Sequence, residues 1–467
     1  MMPHFLRFVY RLIALFALLA ITACSLLPFD EENEVPENAP AKAVSADAPK
    51  GTVPVREVEK KPSLPEPPVQ AFQPDSKNDY APASHIGPAE SAAAAQTGVY
   101  APPSKIGESA ILNVPVVKVG LLIPMSGESV ALGKSLLDAA ILAVYDKYST
   151  LAVPETTAKV VLLPKDTGDN IEGAEKAAQD VIQEGAQIIL GPVFSKQVSV
   201  VSSSARHKNI PVITFSNNTA VAGDGVYLFG FIPEQQVIRI VQYSLSHNIG
   251  NIAALVPSNP YGAAIVKQLS TEVHKRGGHL HPIEYYSEDM LALDNNVSRL
   301  ARFLQDEPIK GQSVFVAEGG EKLKTLTDTL AANAINQTNV QLLGTGLWDD
   351  PEIVKWPSLH GGWFASSPPE RYRAFEQHFI ATYSYKPERR ASLSYDAVAL
   401  AINLALASKG NGFPKEMITD PVGFNGPANG IFRFKEDGSI ERGLSVLMVT
   451  GSGFRSIDPA PTMFNQQ

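Results

Sequence analysis

VVKVGLLIPMSG, Val116 to Gly127, is the stretch whose reading decides the fold. Its first eight residues are apolar and rich in β-branched side chains, with Lys118 the one polar residue. A short, dense run of that kind reads as a strand covered on both faces, which is the condition of a parallel sheet. Pro124-Met125-Ser126-Gly127 then supplies a turn, and a helix is predicted over about Val130 to Tyr148.

The same alternation repeats outward from this point. Strands are predicted at Lys159–Leu163, Gln187–Leu190 and Ile210–Thr214, with helices at Asn170–Glu184 and Ser195–Arg206 between them. A second series follows. Its strands are Ile252–Val256, His279–Tyr285, Ser313–Val316 and Val340–Leu343, and its helices are Gln235–Ser246, Tyr261–Arg276, Asn295–Gln305 and Lys322–Ala334. Two consecutive β-α runs imply an α/β protein of two doubly wound parallel-sheet lobes joined by a hinge. Further helices are predicted at Glu370–Tyr383 and Ser394–Ser408, with a strand at Ile431–Phe434. The expected partition is residues 114–231 plus 366–421 for the first lobe and 232–365 plus 422–450 for the second. Crossings then fall near Phe231, Ser366 and Val422, and 451–467 forms a C-terminal tail.

Upstream of Val116 the composition changes. Prolines recur every few residues among Ala, Glu, Lys and Ser, as in Lys60 to Gln70 (KKPSLPEPPVQ), and no periodicity persists. Such a segment cannot bury enough apolar surface to offset its ordering entropy, so 24–113 is expected to be a disordered tether. It has a coil span of roughly 50 Å and a maximal reach of about 290 Å. Within it Tyr80-Ala81-Pro82-Ala83-Ser84-His85-Ile86-Gly87 recurs as Tyr100-Ala101-Pro102-Pro103-Ser104-Lys105-Ile106-Gly107. The repeat is either a local duplication or a pair of docking motifs with Tyr and Ile anchors.

The N-terminus reads as a signal peptide over 1–23. Arg7 and Arg11 precede Leu12–Ile21 (LIALFALLAI), an apolar core too short to span a bilayer. It ends in Ile21-Thr22-Ala23-Cys24, which resembles a lipobox: a branched apolar residue, two small ones, then cysteine. Cys24 is the sole cysteine of the 467 residues, so a disulfide framework and a Cys-ligated zinc site are both excluded. A lipidated Cys24 gives membrane attachment. Ser25 after it, where lipoproteins held at the inner membrane carry aspartate, implies the outer membrane, on its periplasmic face.

Composition narrows the function. The net charge of -9 opposes phosphate backbones, so nucleic acid is not an expected partner. No nucleophile elbow, P-loop or zinc-helix motif occurs, and the nine histidines are scattered. The chain is therefore read as a non-enzyme with no metal and no cofactor. Ligands of doubly wound sheets bind beyond the carboxyl ends of strands. That rule selects Ser126, Phe194, Ser195, Ser216, Asn217, Asn218 and Thr219 in the first lobe, and Tyr261, Glu318 and Trp348 in the second, as a candidate ligand cleft. Ser, Thr and Asn at helix starts suit a bound anion, and they equally suit N-capping.

From Val116 to Met448 the chain resembles type I periplasmic binding proteins of the leucine/isoleucine/valine class. The resemblance lies in Gly120–Gly127 with Gly133, Ile189-Leu190-Gly191-Pro192, Ile210–Ile213 and Asn259-Pro260-Tyr261-Gly262. Within that class LLIPMSG, IILGPVFSKQV (Ile188–Val198) and LFGFIPEQQ (Leu228–Gln236) are most similar to lipoprotein activators of penicillin-binding proteins. The enterobacterial activator adds a helical repeat domain where this chain has the tether. Amino-acid-binding members carry a glutamate after the last strand of the second lobe. Here Gly344-Thr345-Gly346-Leu347-Trp348 has no acid before Asp349. The resemblance thus implies an envelope lipoprotein that binds or activates a peptidoglycan synthase (a penicillin-binding protein). Its alternative is a lipid-anchored solute receptor of a branched-chain amino-acid-type ABC importer, holding a small molecule in the cleft.

The anchor yields a direct test. Cys24→Ala removes the only thiol, so palmitate labelling is expected to vanish and the unprocessed precursor to accumulate. Labelling that survives the substitution refutes the assignment.

Overall fold

The computed structural model describes residues 114–150, 157–306, 310–336 and 338–464. The signal peptide, Cys24, the tether and both copies of its repeat lie outside the described residues. In the first lobe β1 (Val116–Ile123) lies between β2 (Lys159–Asp166) and β3 (Ile188–Leu190), followed by β4 (Val212–Thr214) and β5 (Val226–Leu228). All these pairings are parallel, in the order β2-β1-β3-β4-β5. Helices α1 (Val130–Thr150), α2 (Ile171–Gln183) and α3 (Ser195–Arg206) are the crossovers. The continuous apolar run of β1 follows from coverage on both faces. Val119, Leu121 and Ile123 enter one core cluster, and Leu122 enters another beneath α2 and α3. Gly120 lets α2 approach, since a Cβ there would stand 3.0 Å from Val181 Cγ2.

The second lobe repeats the scheme. Its elements are α4 (Pro233–Ser246), β6 (Asn251–Pro257), α5 (Pro260–Lys275), β7 (His279–Tyr286), α6 (Leu293–Asp306), β8 (Gln312–Val316), α7 (Gly320–Ala332), β9 (Gln341–Gly344) and β10 (Trp363–Ser366). The chain then returns to the first lobe as α8 (Pro369–Tyr383) and α9 (Ala391–Ala407). Helix α9 is apolar on nearly every face, as a helix enclosed by protein should be. It fills the core between α1 and the sheet with Leu393, Ala397, Leu400, Ala401 and Leu404. After α10 (Lys415–Ile418) come the antiparallel ribbon β11 (Phe424–Gly426), β12 (Gly430–Phe434) and β13 (Ile440–Arg442), then β14 (Ser445–Thr450) and β15 (Gly453–Asp458).

Two boundaries differ from the sequence reading. The third crossing lies at Gly443–Leu444, where β13 gives way to β14, and not at Val422. Phe432 and Phe434 hold the ribbon to the first lobe by packing on Tyr227 and Phe229, with ring centroids 4.8–5.8 Å apart. Nor is 451–467 merely a tail. β14 pairs antiparallel with β10 and β15 with β14, so the second sheet has the order β15-β14-β10-β9-β8-β6-β7. The turn Gly451-Ser452 is a two-residue hairpin connection, a signal present in the sequence.

A buried acid anchors the entry to the ribbon. Asp396 on α9 is 1% exposed and accepts from the N–H groups of Ala428 (2.8 Å) and Asn429 (3.0 Å) and from Asn429 Nδ2 (2.8 Å). Burial pushes its carboxyl up to about 6 in spite of those three donors. The folded state therefore holds this proton more tightly than the unfolded chain, whose aspartate titrates near 3.9. The stabilisation is fully present in acid and is lost as pH rises from about 4 to about 6, in all about 3 kcal/mol. Asp396→Asn is expected to flatten that part of the stability curve, read by urea unfolding across the window. An unchanged slope in the variant rules Asp396 out as its source.

Candidate functional site

The crossings locate the space between the lobes. Two of them leave the carboxyl ends of β5 and β10, at Leu228 and Ser366, so the lobes are joined along those edges of their sheets. All the candidates selected from sequence follow strands on the same edges.

In the first lobe the loop after β1 is tied down by the end of β2. Met125 and Ser126 donate their N–H groups to Asp166 Oδ1 (2.7 and 3.1 Å), and Glu128 N–H donates to Asp169 Oδ2 (2.6 Å). Burial pushes the Asp166 carboxyl up, but the Ser126 hydroxyl and the N–H groups of Gly168, Met125 and Ser126 outweigh it. Its pKa settles below the usual carboxylate range. Gly127 sits at φ +82°, and a Cβ there would overlap Asp169. Gln197 on α3 donates to the carbonyls of Gly168 (3.1 Å) and Asn170 (2.8 Å), fixing the next loop to the first. Gln197 is not among the sequence candidates, since its only signal is a polar residue on the inner face of a helix.

Phe194 occupies the N-cap position of α3 in extended backbone with no side-chain cap bond. Ser195, the first helical residue, is partly exposed. Thr214 Oγ1 donates to Pro192 O (2.8 Å), which joins the ends of β3 and β4. Beyond β4, Ser216 is 2% exposed and its Oγ accepts from Asn218 N–H (3.1 Å), while Asn218 Oδ1 accepts from Ala220 N–H (3.0 Å). Ser216 and Asn218 thus shape their own loop, and Asn217 and Thr219 are exposed beside them.

The second lobe presents a polar ledge. Tyr261 OH lies 3.3 Å from Thr345 Oγ1, and Tyr286 OH donates to Glu318 Oε2 (2.7 Å). The other Glu318 oxygen accepts from Gly319 N–H (3.1 Å). Gln236 at the start of α4 accepts from Gly346 N–H (2.8 Å), holding the loop after β9. Burial pushes the Tyr261 phenol up to about 12. Burial, with the Glu318 carboxylate as acceptor, drives Tyr286 far above the tyrosine range. Both remain neutral hydroxyls that can donate. Tyr286 and Thr345 were not among the sequence candidates, because each is the last residue of a strand or its successor and reads as core.

Trp348 does not belong to the ledge. The turn Gly346–Trp348 directs its ring inward, where it is fully buried among Ile353, Leu359 and Phe364. Gly344 makes room for it, since a Cβ there would fall 2.2 Å from the indole. Its neighbour Leu347 is 46% exposed and stands against Gly319. Tyr261 and Glu318 are therefore brought together on one lobe, and Phe194, Ser195 and Ser216 on the other. Among the described residues no hydrogen bond joins the two sets.

Comparisons with known proteins agree with this geometry. A family model described as periplasmic binding protein matches residues 116–453. A leucine-binding protein of Thermotoga maritima superposes with a TM-score of 0.55 at 17% identity, over 74% of this chain and 98% of its own. A periplasmic ligand-binding protein of a branched-chain amino acid ABC transporter, from Burkholderia xenovorans, gives 0.59 at 16% identity, over 75% and 94%. A solute-binding protein of Rhodopseudomonas palustris in complex with 3,4-dihydroxybenzoic acid gives 0.55 at 17%, over 75% and 97%. In sequence, an uncharacterized protein of Rickettsia prowazekii is 23% identical over 46% of this chain, and glutamate receptor 2.4 of Arabidopsis thaliana is 26% identical over 36%. The matched regions span 56% and 18% of those two relatives.

Tyr286, 1% exposed, is the direct support of the Glu318 carboxylate. Tyr286→Phe removes a hydrogen bond to a charged group and is expected to cost about 1.5–3 kcal/mol in chemical unfolding. A cost no larger than that of a surface substitution contradicts the assigned contact.

Proposed function

Because the chain belongs to the periplasmic binding protein family, we propose that its two-lobed domain is a receptor for a small solute held between the lobes. One observation carries the reading: at the carboxyl edge of the second sheet the partly exposed Glu318 and Tyr261 are each backed by a buried hydroxyl, Tyr286 and Thr345 respectively. The opposing edge of the first lobe offers the start of α3 with the Ser195 hydroxyl and the exposed Asn217 and Thr219. A helix start favours an anionic group, and a carboxylate flanked by hydroxyls favours an ammonium or a ring of hydroxyls. The ligand class is therefore a small carboxylate with a donor-rich far end, such as an amino acid or a hydroxylated aromatic acid. The absent acid after β9 is no obstacle, since Glu318 supplies one from β8, the strand beside it.

A second reading keeps the lipobox at Cys24 and the long tether in view. Lipidated at the outer membrane, the domain reaches a peptidoglycan synthase across the periplasm and activates it, as the resemblance to activator lipoproteins implies. Structural support is stronger for the receptor. The relatives of similar fold include solute-binding proteins, and the ledge has the chemistry of a small-molecule site.

Thermal unfolding against a panel of amino acids and hydroxybenzoates separates the two. A true ligand at a hundredfold excess over Kd adds about 2.7 kcal/mol, and Glu318→Gln and Ser195→Ala are each expected to abolish that gain. No shift with any member of the panel, together with binding of a purified penicillin-binding synthase, rejects the receptor in favour of the activator.

A further inference from the structure

Two of the three crossings meet at one aromatic ring, and an arginine stacked on that ring reaches toward the remaining one. Phe231, on the first crossing, carries Arg389 at 4.7 Å from its centroid and Arg442 at 5.6 Å. Arg442, the last residue of β13 before the third crossing, donates to Phe229 O (2.6 Å) and Gly230 O (3.4 Å), so it binds the first crossing to the third within the first lobe. Arg389 is different, because its partners belong to both lobes. From the first lobe it is stacked on Tyr372 of α8 (3.9 Å) and donates Nη1 to Ser392 Oγ (2.9 Å) and Asn429 Oδ1 (3.1 Å). Toward the second lobe its Nε and Nη2 both donate to Asp349 Oδ2, at 3.1 and 3.0 Å. The same oxygen accepts from Ser366 Oγ (2.8 Å), at the end of β10 where the second crossing departs. The pair is shielded, with side-chain exposures of 23% and 12%.

Asp349 also follows directly on the Gly346–Trp348 turn, which borders the candidate site. A guanidinium held in place by two rings and two acceptors is a rigid donor, and it spends that rigidity on one carboxylate of the other lobe. We propose that the Asp349–Arg389 ion pair is a latch between the lobes: it holds the arrangement seen here, and its release frees the lobes to turn about the three crossings. Ser366, shared by the latch and the second crossing, couples the carboxylate to the hinge itself. The latch concerns the motion of the lobes and does not depend on which solute, or whether any, occupies the cleft.

Pulsed electron paramagnetic resonance on the full chain tests it. The sole cysteine is replaced (Cys24→Ser), and spin labels are placed by Glu175→Cys on α2 and Lys322→Cys on α7, both exposed and on opposite lobes. The unliganded protein is expected to give one population of distances. Arg389→Met and Asp349→Asn are each expected to add a second population, and the double variant no more than either alone, because the two residues act as a unit. An Arg389→Met protein that is folded by circular dichroism and keeps the original distribution overturns the latch. A shift with Arg389→Met but none with Asp349→Asn overturns the ion pair as its basis and leaves only the stacking on Phe231 and Tyr372. If Arg389→Met fails to fold, Asp349→Asn decides alone, since its amide oxygen still accepts from Ser366 and the fold loses only the charge.

Discussion

The structure depends on how two arginines are kept inside it. A buried guanidinium is costly unless its charge and donors are matched. Here the matching groups lie on or beside the segments that pass between the lobes, although Arg442 Nη1 has no hydrogen-bond partner among the described residues. Arg442 finds the carbonyls of Phe229 and Gly230, with Asp396 within electrostatic reach. Arg389 finds Asp349, Ser392 and Asn429. Asp396 in turn holds the N–H groups of Ala428 and Asn429 at the entry to the ribbon. Replacing such a network by apolar residues commonly leaves stability unharmed. What the network does is tie the crossings together: Arg442 bonds the first from the start of the third, and Asp349 holds Ser366 at the start of the second.

This also explains which parts of the fold the sequence displays and which it conceals. β1, β6 and β8 are continuous apolar runs, and α2, α3 and α5 carry alternating faces with Asn170 and Asn259 as caps, so the β-α alternation is legible. The third crossing is not. Ile431–Phe434 reads as a strand, but nothing in its pattern says which sheet it serves. That is decided by Phe432 and Phe434 meeting Phe229 and Tyr227, residues roughly two hundred positions earlier. Long-range ring packing has no local signature. The hairpin of β14 and β15 is missed, since 451–467 reads as a tail, although Thr450-Gly451-Ser452-Gly453 carries a turn signal between two runs that pair.

The candidate site divides along the same line. Strand ends are visible in sequence, so the loops were found: Tyr261, Glu318, Ser195 and Ser216 all lie where a doubly wound sheet places its ligands. Which side chain of a loop faces outward is set by one step of backbone. Trp348 and Leu347 illustrate it, the first fully buried and the second exposed. The polar candidates then sort by their own hydrogen bonds. Ser216 and Asn218 are engaged in their loop, as their preference for caps and turns predicts, whereas Glu318 and Tyr286 form a pair that no cap requires.

That pair bears on the choice of function more than any motif does. A structural carboxylate tends to gather backbone N–H groups, as Asp166 at a strand end and Asp396 on α9 do. Glu318 takes one, from its own successor Gly319, and its second oxygen is held by a phenol. A tyrosine hydroxyl orients a carboxylate without neutralising it, and burial keeps that phenol in its donor form. The acid is therefore held in one orientation, in a loop that borders the space between the lobes. For a surface meant only to be covered by a protein partner, such an arrangement adds desolvation cost without need. For a site that must hold the donor end of a small solute, it supplies the fixed acceptor that the loop after β9 lacks.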